Sequence, residues 1–225
     1  MMSTTKYQWI STMLGVCICV IGAYGQTPRL VPAPVELPKP GYEGTPANFA
    51  IANLEKTSAK ERGPFLVPPG VTNVAKNKKV TSSEKDPVVG ELGMVTDGDK
   101  TQAEGNAVEL GPGVQWVTID LETTQEVYGI LLWHYHQPRV YFSVIVQTAE
   151  DAAFSKGVET WFNNDINNKV KLGAGKNLNY VETYEGKLVD TKGVHARYVR
   201  LFSAGNNAND LNHYIEVEVF GRPVT

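Results

Sequence analysis

The chain has 225 residues, 42% hydrophobic and 20% charged, with 21 Lys and Arg against 24 Asp and Glu and a net charge of −3. This balance argues against nucleic acid as the main partner, because there is no basic excess to neutralise phosphates. Both cysteines, Cys17 and Cys19, fall within the first 25 residues, so the rest of the chain must be held by core packing, with or without a metal, and not by disulfides.

Residues 1–25 carry one basic residue, Lys6, then an apolar run from Ile10 to Ile21, then Ala23-Tyr24-Gly25. This pattern predicts an export signal cut after Gly25 and a secreted or periplasmic protein. The apolar run is short of the roughly 20 residues of a spanning helix; a retained membrane anchor is the alternative. Losing Lys6 with the signal takes the mature chain to a net charge of −4. No later segment is long and apolar enough to span a bilayer.

Residues 26–70 hold nine of the 13 prolines. Alternating prolines favour an extended lead-in and forbid a sheet interior. A short helix is expected within residues 47–60, where apolar residues recur at helical spacing. The lead-in either lies along the surface of the domain or is disordered.

From residue 71 to 225 the texture is that of one β domain. "QWVTIDL" (115–121) places Trp116, Thr118 and Asp120 on one face and Val117, Ile119 and Leu121 on the other. Residues 126–136, 140–149, 197–203 and 213–221 are further strand candidates. Gly, Asn and Asp fill the gaps between them. Many short strands with such turns predict an all-β sandwich.

Three segments offer ligand chemistry. In "LLWHYHQPRVYF" (131–142), His134 and His136 share one face of a strand, and Trp133 and Tyr135 share the other. With Arg139 the histidines supply planar hydrogen-bonding groups suited to a sugar; a transition-metal pair or purely structural histidines are the alternatives. In "WFNNDINN" (161–168), Asn163 and Asp165 suit hydroxyl recognition or a second calcium, or else brace a turn. In "SAGNNANDLNHY" (203–214), Asn207, Asn209 and His213 lie on a loop expected at one end of the sandwich. Arg200, on the face of Tyr198, reads as a partly buried structural arginine with Asp120 as a candidate partner.

"VTDGDKT" (95–101) gathers the carboxylates of Asp97 and Asp99 and the hydroxyl of Thr101 on a tight turn. These are hard oxygen donors of the kind calcium takes. The 12-residue EF-hand pattern is absent, and an ordinary Asp-Gly turn without an ion is the alternative.

Taken together, "NVAKNKKVTSS" (73–83), "VTDGDKT", "QWVTIDL", "ARYVRL" (196–201) and "EVEVFG" (216–221) resemble, in order and spacing, the discoidin or factor five/eight C-type domains and the related family 32 carbohydrate-binding modules. The resemblance spans Asn73 to Gly221. It implies an eight-stranded jelly-roll β-sandwich behind the proline-rich extended segment. It also implies a structural calcium held by the 95–101 loop and by a glutamate five residues before the closing glycine, here Glu216 before Gly221. Asp97, Asp99, Thr101 and Glu216 are the matching residues, with the Met94 carbonyl as a further oxygen. Two departures touch the ligand-choosing loops: the tryptophan common after the Asp-Gly turn is missing, and residues 161–186 are more elaborate than in a minimal member.

No nucleophile elbow, HExxH, phosphate loop or Cys–His pair is present. Glu182, Glu185 and Asp190 are loop carboxylates with nothing to fix them opposite one another, as glycoside hydrolysis requires. The sequence therefore reads as a non-catalytic module. The resemblance implies a carbohydrate or glycoconjugate ligand. A module for adhesion or envelope assembly, binding a cell-surface or envelope protein or a surface polymer, is the alternative, and a small glycan hydrolase is the second.

Overall fold

The structure is a computed structural model that describes residues 29–41, 49–58, 60–103 and 105–224. The expected signal at 1–25 lies outside the described residues. The described part is all-β. Its strands are β1 (Val31–Pro32), β2 (Leu66–Val67), β3 (Thr72–Asn73), β4 (Lys79–Ser82), β5 (Val108–Leu110), β6 (Gln115–His134), β7 (Ile145–Ala149), β8 (Glu159–Asn163), β9 (Lys187–Ser203) and β10 (Asn212–Pro223). One 3-10 turn, Leu92–Thr96, leads into the 95–101 loop. Among the described residues no helix is long and apolar enough to cross a membrane.

The pairing runs β3-β10-β6-β9-β7-β8, with β4 added on β6 and β5 on β10, and every ladder is antiparallel. The long strands β6 and β9 serve both layers. Their ladder shifts register between Asp120 and Gln125, where Glu122 takes a φ of 69°. A strand that turns such a corner leaves one sheet and enters the other. In one layer the first half of β6 pairs with β4 and the end of β9, and β7 and β8 follow. In the other layer the second half of β6 pairs with β10 and the start of β9.

The main core lies between these layers. Val117, Ile119 and Leu121 from the first half of β6 pack in one cluster with Ile130 and Leu132 from its second half, with Val199 and Leu201 of β9, and with Val217 and Val219 of β10. This is the sandwich that the alternation of "QWVTIDL" predicts, with the aliphatic side chains inward.

A second apolar cluster forms on the outer face of the β10 layer. Leu131, Trp133, Ile215 and Phe220 are covered there by Val67 and Val71, with Ala33, Val35 and Phe65 packed alongside. The described lead-in therefore docks on the domain. Gly129 is what lets it approach: a Cβ at that position would lie 2.5 Å from a ring carbon of Phe65. The helix expected at 47–60 does not form in its described part, residues 49–58 and 60. Leu54 instead pairs with Asn179 in a parallel bridge, and Glu55 N–H donates to the Asn179 carbonyl at 2.8 Å. Tertiary pairing overrides a local helical pattern here.

Two further expectations are corrected. Of the expected strand 140–149 only Ile145–Ala149 is regular, because Ser143 sits at a φ of 52° and its side chain braces Asp165. Asp120 is held by Arg197 and not by Arg200: Arg197 Nε and Nη2 donate to its two oxygens at 2.8 and 2.9 Å. This fork holds the Asp120 carboxyl below its ordinary range.

Candidate functional site

At one end of the sandwich, the connection after β6, the β9–β10 connection and the segment before β5 enclose a cleft of about 300 Å³. Glu109, Tyr135, Gln137, Arg139, Asn209 and His213 line it. The register of β5 against β10 sets His213 directly opposite Glu109, and His213 Nε2 lies 3.0 Å from Glu109 Oε2. The other ring nitrogen, Nδ1, lies 2.9 Å from the Tyr141 hydroxyl. Burial, with Arg139 alongside, holds the His213 imidazole below its ordinary pKa, against the pull of Glu109. A neutral ring fits both contacts: Nε2–H donates to the carboxylate and Nδ1 accepts from the phenol.

Arg139 lays its guanidinium 5.0 Å from the Tyr135 ring centroid. Its Nη1 is buried without a hydrogen-bond partner among the described residues. Asn209 is exposed at the rim, its Oδ1 accepting from Asn206 and from the Leu211 N–H. The cleft thus joins one aromatic ring, a guanidinium, an imidazole, a carboxylate and two amides. Such a set can pair with several hydroxyls in fixed directions while the ring meets an apolar face.

Of the residues expected to bind a ligand, the structure brings Arg139, Asn209 and His213 to this cleft. His134 is corrected: it is fully buried, with Nδ1 2.6 Å from Glu182 Oε1, and it stacks on Tyr141 at 4.3 Å. It supports the cleft from below and does not reach it. His136 is corrected too: it is buried, its Nε2–H donates to the Lys100 carbonyl at 3.0 Å, and it does not line the cleft. Asn207 accepts the Val140 N–H at 2.9 Å and so fixes the β6–β7 connection. Asp165 is buried and its oxygens accept from Ser143, Lys169 and Val170. Asn163 accepts the Asp165 N–H. These two brace a turn, as the alternative held. Glu109, Tyr135 and Gln137 went unrecognised in the sequence. Tyr135 was visible only as an aromatic neighbour of the histidines.

The loop carboxylates considered for hydrolysis are engaged structurally. Glu182 is buried against His134, Glu185 accepts the Arg62 N–H at 2.6 Å, and Asp190 accepts the Lys192 N–H at 3.1 Å.

The 95–101 loop lies against β10. Gly98, at a φ of 92°, turns its N–H onto Glu216 Oε2 at 3.1 Å. Asp97 and Asp99 each accept an N–H two residues on, at 2.8 and 2.9 Å. Lys100 reaches Glu218 at 2.7 Å. Glu216 is fully buried, and its Oε1 has no hydrogen-bond partner among the described residues. Burial pushes its carboxyl up to about 9. Among the described residues no three His, Cys, Asp or Glu side chains converge as a metal-binding group, so a cation here would depend on backbone and hydroxyl oxygens as well. A buried carboxylate oxygen without a partner, beside exposed Asp97, Asp99 and Thr101, is chemistry that a hard cation satisfies.

No protein-family model matches the chain, and no curated protein does. Among solved structures it is similar to a family 89 glycoside hydrolase from Clostridium perfringens, at 20% identity and a TM-score of 0.49, covering 67% of this chain and 15% of that one. It is similar to CpGH89CBM32-4 of Clostridium perfringens, in complex with GlcNAc-α-1,4-galactose, at 16% identity and a TM-score of 0.48, covering 68% of this chain and 96% of that one. It is also similar to the CBM32 of AlyQ in complex with 4,5-unsaturated mannuronic acid, at 22% identity and a TM-score of 0.41, covering 63% and 93%. The last two are CBM32 modules by name. The chain spans only a small part of the hydrolase.

Proposed function

We propose that the chain is an exported, non-catalytic carbohydrate-binding module whose ligand seat is the end cleft. The observation that carries this reading is the convergence of Arg139, His213, Glu109, Gln137 and Asn209 around the Tyr135 ring. Hydroxyls pair with the polar groups, and the C–H face of a sugar rests on the ring. Glu109 and Tyr141 fix the orientation of His213, so the cleft needs little rearrangement on binding. The structural neighbours that bind glycans are in keeping with this reading.

A structural calcium belongs to the same proposal. Asp97, Asp99, Thr101 and Glu216 would hold it with loop carbonyls, and it would supply a cross-link between the 95–101 loop and β10, not chemistry. Export rests on the signal pattern at 1–25 and is tested by N-terminal sequencing of the mature chain.

Titration with a sugar hit, followed by NMR, tests the seat. Binding should shift the Tyr135 and His213 resonances, and Arg139→Gln should weaken it by about tenfold, since hydrogen bonds to a charged group contribute about 1.5–3 kcal/mol. Saturable binding that leaves those resonances and that variant unaffected refutes the seat. The second reading, a module for a cell-surface or envelope protein, is favoured by exposed Val88 and Val89, the latter at the cleft rim.

A further inference from the structure

The lead-in covers the outer face of the β10 layer, but the outer face of the other layer is open at its middle. There Thr81, Thr118 and Arg200 stand in one row across β4, β6 and β9, and Lys79, Asp120 and Tyr198 stand in the next. With Trp116 these residues border a cleft of about 280 Å³. That lies just below the roughly 300–1,000 Å³ typical of ligand pockets, so it suits a single ring.

Arg200 is the unusual group in it. Its guanidinium carbon lies 4.7 Å from the Trp116 ring centroid and 3.8 Å from that of Phe154. Nε donates to Thr118 Oγ1 at 2.8 Å, and Nη2 reaches the Ala152 carbonyl at 3.4 Å. Both acceptors are neutral. Burial lowers the Arg200 pKa and no neighbouring carboxylate raises it. Among the described residues no salt bridge involves Arg200 or Lys79. The one carboxylate at the cleft, Asp120, is already paired with Arg197. Two cations therefore face one cleft whose carboxylate is committed to Arg197, on a chain whose net charge is −3. A half-buried guanidinium is costly without an anion, and the two rings hold its plane rigid for one.

We propose that this sheet-face cleft is a second ligand site, separate from the end cleft, and that it takes a carboxylate-bearing sugar ring, the uronate unit of an acidic polysaccharide. Arg200 and Lys79 hold the carboxylate, and the Thr81 hydroxyl and the Trp116 indole N–H meet ring hydroxyls. A sugar fits better than an acidic peptide. An extended peptide binds by adding to a sheet edge, whereas Trp116, Thr118, Tyr198 and Arg200 stand on β6 and β9, which are paired on both sides.

The test is calorimetric titration of the full chain with oligogalacturonate, its methyl ester, sulfated dextran and polyglutamate. The parent should bind oligogalacturonate and not the methyl ester, more weakly as salt rises. Arg200→Gln should weaken this by at least about tenfold and Lys79→Ala by about threefold, since charge-assisted bonds are about twice as strong as neutral ones. Lys79 is exposed, so Lys79→Ala decides the matter if Arg200→Gln fails to fold. Tyr135→Ala, in the end cleft, should lose neutral-sugar binding there but leave oligogalacturonate binding unchanged. The site is overturned if oligogalacturonate does not bind, if its methyl ester binds equally, or if Tyr135→Ala and not Lys79→Ala removes binding. Equal binding of sulfated dextran or polyglutamate through the same residues overturns the uronate assignment. Any of these failures leaves the end cleft untouched, because neutral-sugar binding there is measured separately.

Discussion

Glu216→Gln should abolish the response of the fold to calcium while leaving the fold intact. The amide keeps an acceptor for the Gly98 N–H, now at 3.1 Å from Oε2, but removes the charge and the partnerless oxygen that a cation would take. Calcium sites of extracellular modules have Kd values of about 10⁻⁴–10⁻³ M. At about 10 mM calcium the parent would then stand about 10- to 100-fold above Kd, which stabilises it by about 1.4–2.7 kcal/mol. For a chain of this size each kcal/mol moves Tm by about 2–4 °C, so the expected rise over a chelator control is about 3–11 °C. Scanning calorimetry of parent and variant, with calcium and with chelator, reads this directly. An equal rise in both, or none in the parent, refutes the placement of calcium between the 95–101 loop and β10.

The docking of the lead-in is testable at Gly129. Gly129→Ala should cost about 1–3 kcal/mol in urea unfolding, because its Cβ meets the Phe65 ring at 2.5 Å; in a Phe65→Ala background the same change should cost little, and full additivity would contradict the contact. Acid should destabilise the fold through His213. Its folded pKa is lowered by burial and Arg139, so its contribution is complete above the unfolded value near 6.5 and is lost as pH falls from there through the lowered folded value, by about 1.4 kcal/mol per unit of separation. Urea midpoints at pH 7.5 and 5.5 should differ less in His213→Gln than in the parent, and an identical difference would remove His213 from the account. Asp120→Asn should cost under about 1 kcal/mol, because the Arg197 pair is partly exposed, at 39% and 26%; a loss several times larger would show that the pair braces more than the surface.

The β-sandwich class of the fold was legible because aliphatic residues alternate with polar or aromatic ones in the first half of β6. Val117, Ile119 and Leu121 are buried and Trp116 and Asp120 are not, as "QWVTIDL" alone requires. The first half of β9 was not legible. Lys192 and Gly193 sit at φ values of 58° and 82° inside that strand, so "DTKG" reads as a turn. In the site, alternation pairs His134 with His136 but does not say which face is inward, and His134 proved to be core. Glu109 was missed for another reason. Its role depends on the β5–β10 register, which joins residues 104 apart in sequence, and no local pattern encodes that. Arg200 reads as structural because it shares a face with Tyr198 and Asp120 is a candidate partner; its lack of a carboxylate appears only when Arg197 is seen to take Asp120.

The central claim is that the end cleft binds sugar. Residues 26–225, parent and Arg139→Gln with Tyr135→Ala, should be screened on a broad array of glycans and polysaccharides, with calcium and with chelator. The account predicts saturable binding to at least one neutral glycan by the parent and its loss in the double variant, with the variant still folded. A folded parent that binds no glycan in calcium, or a double variant that binds as the parent does, contradicts it.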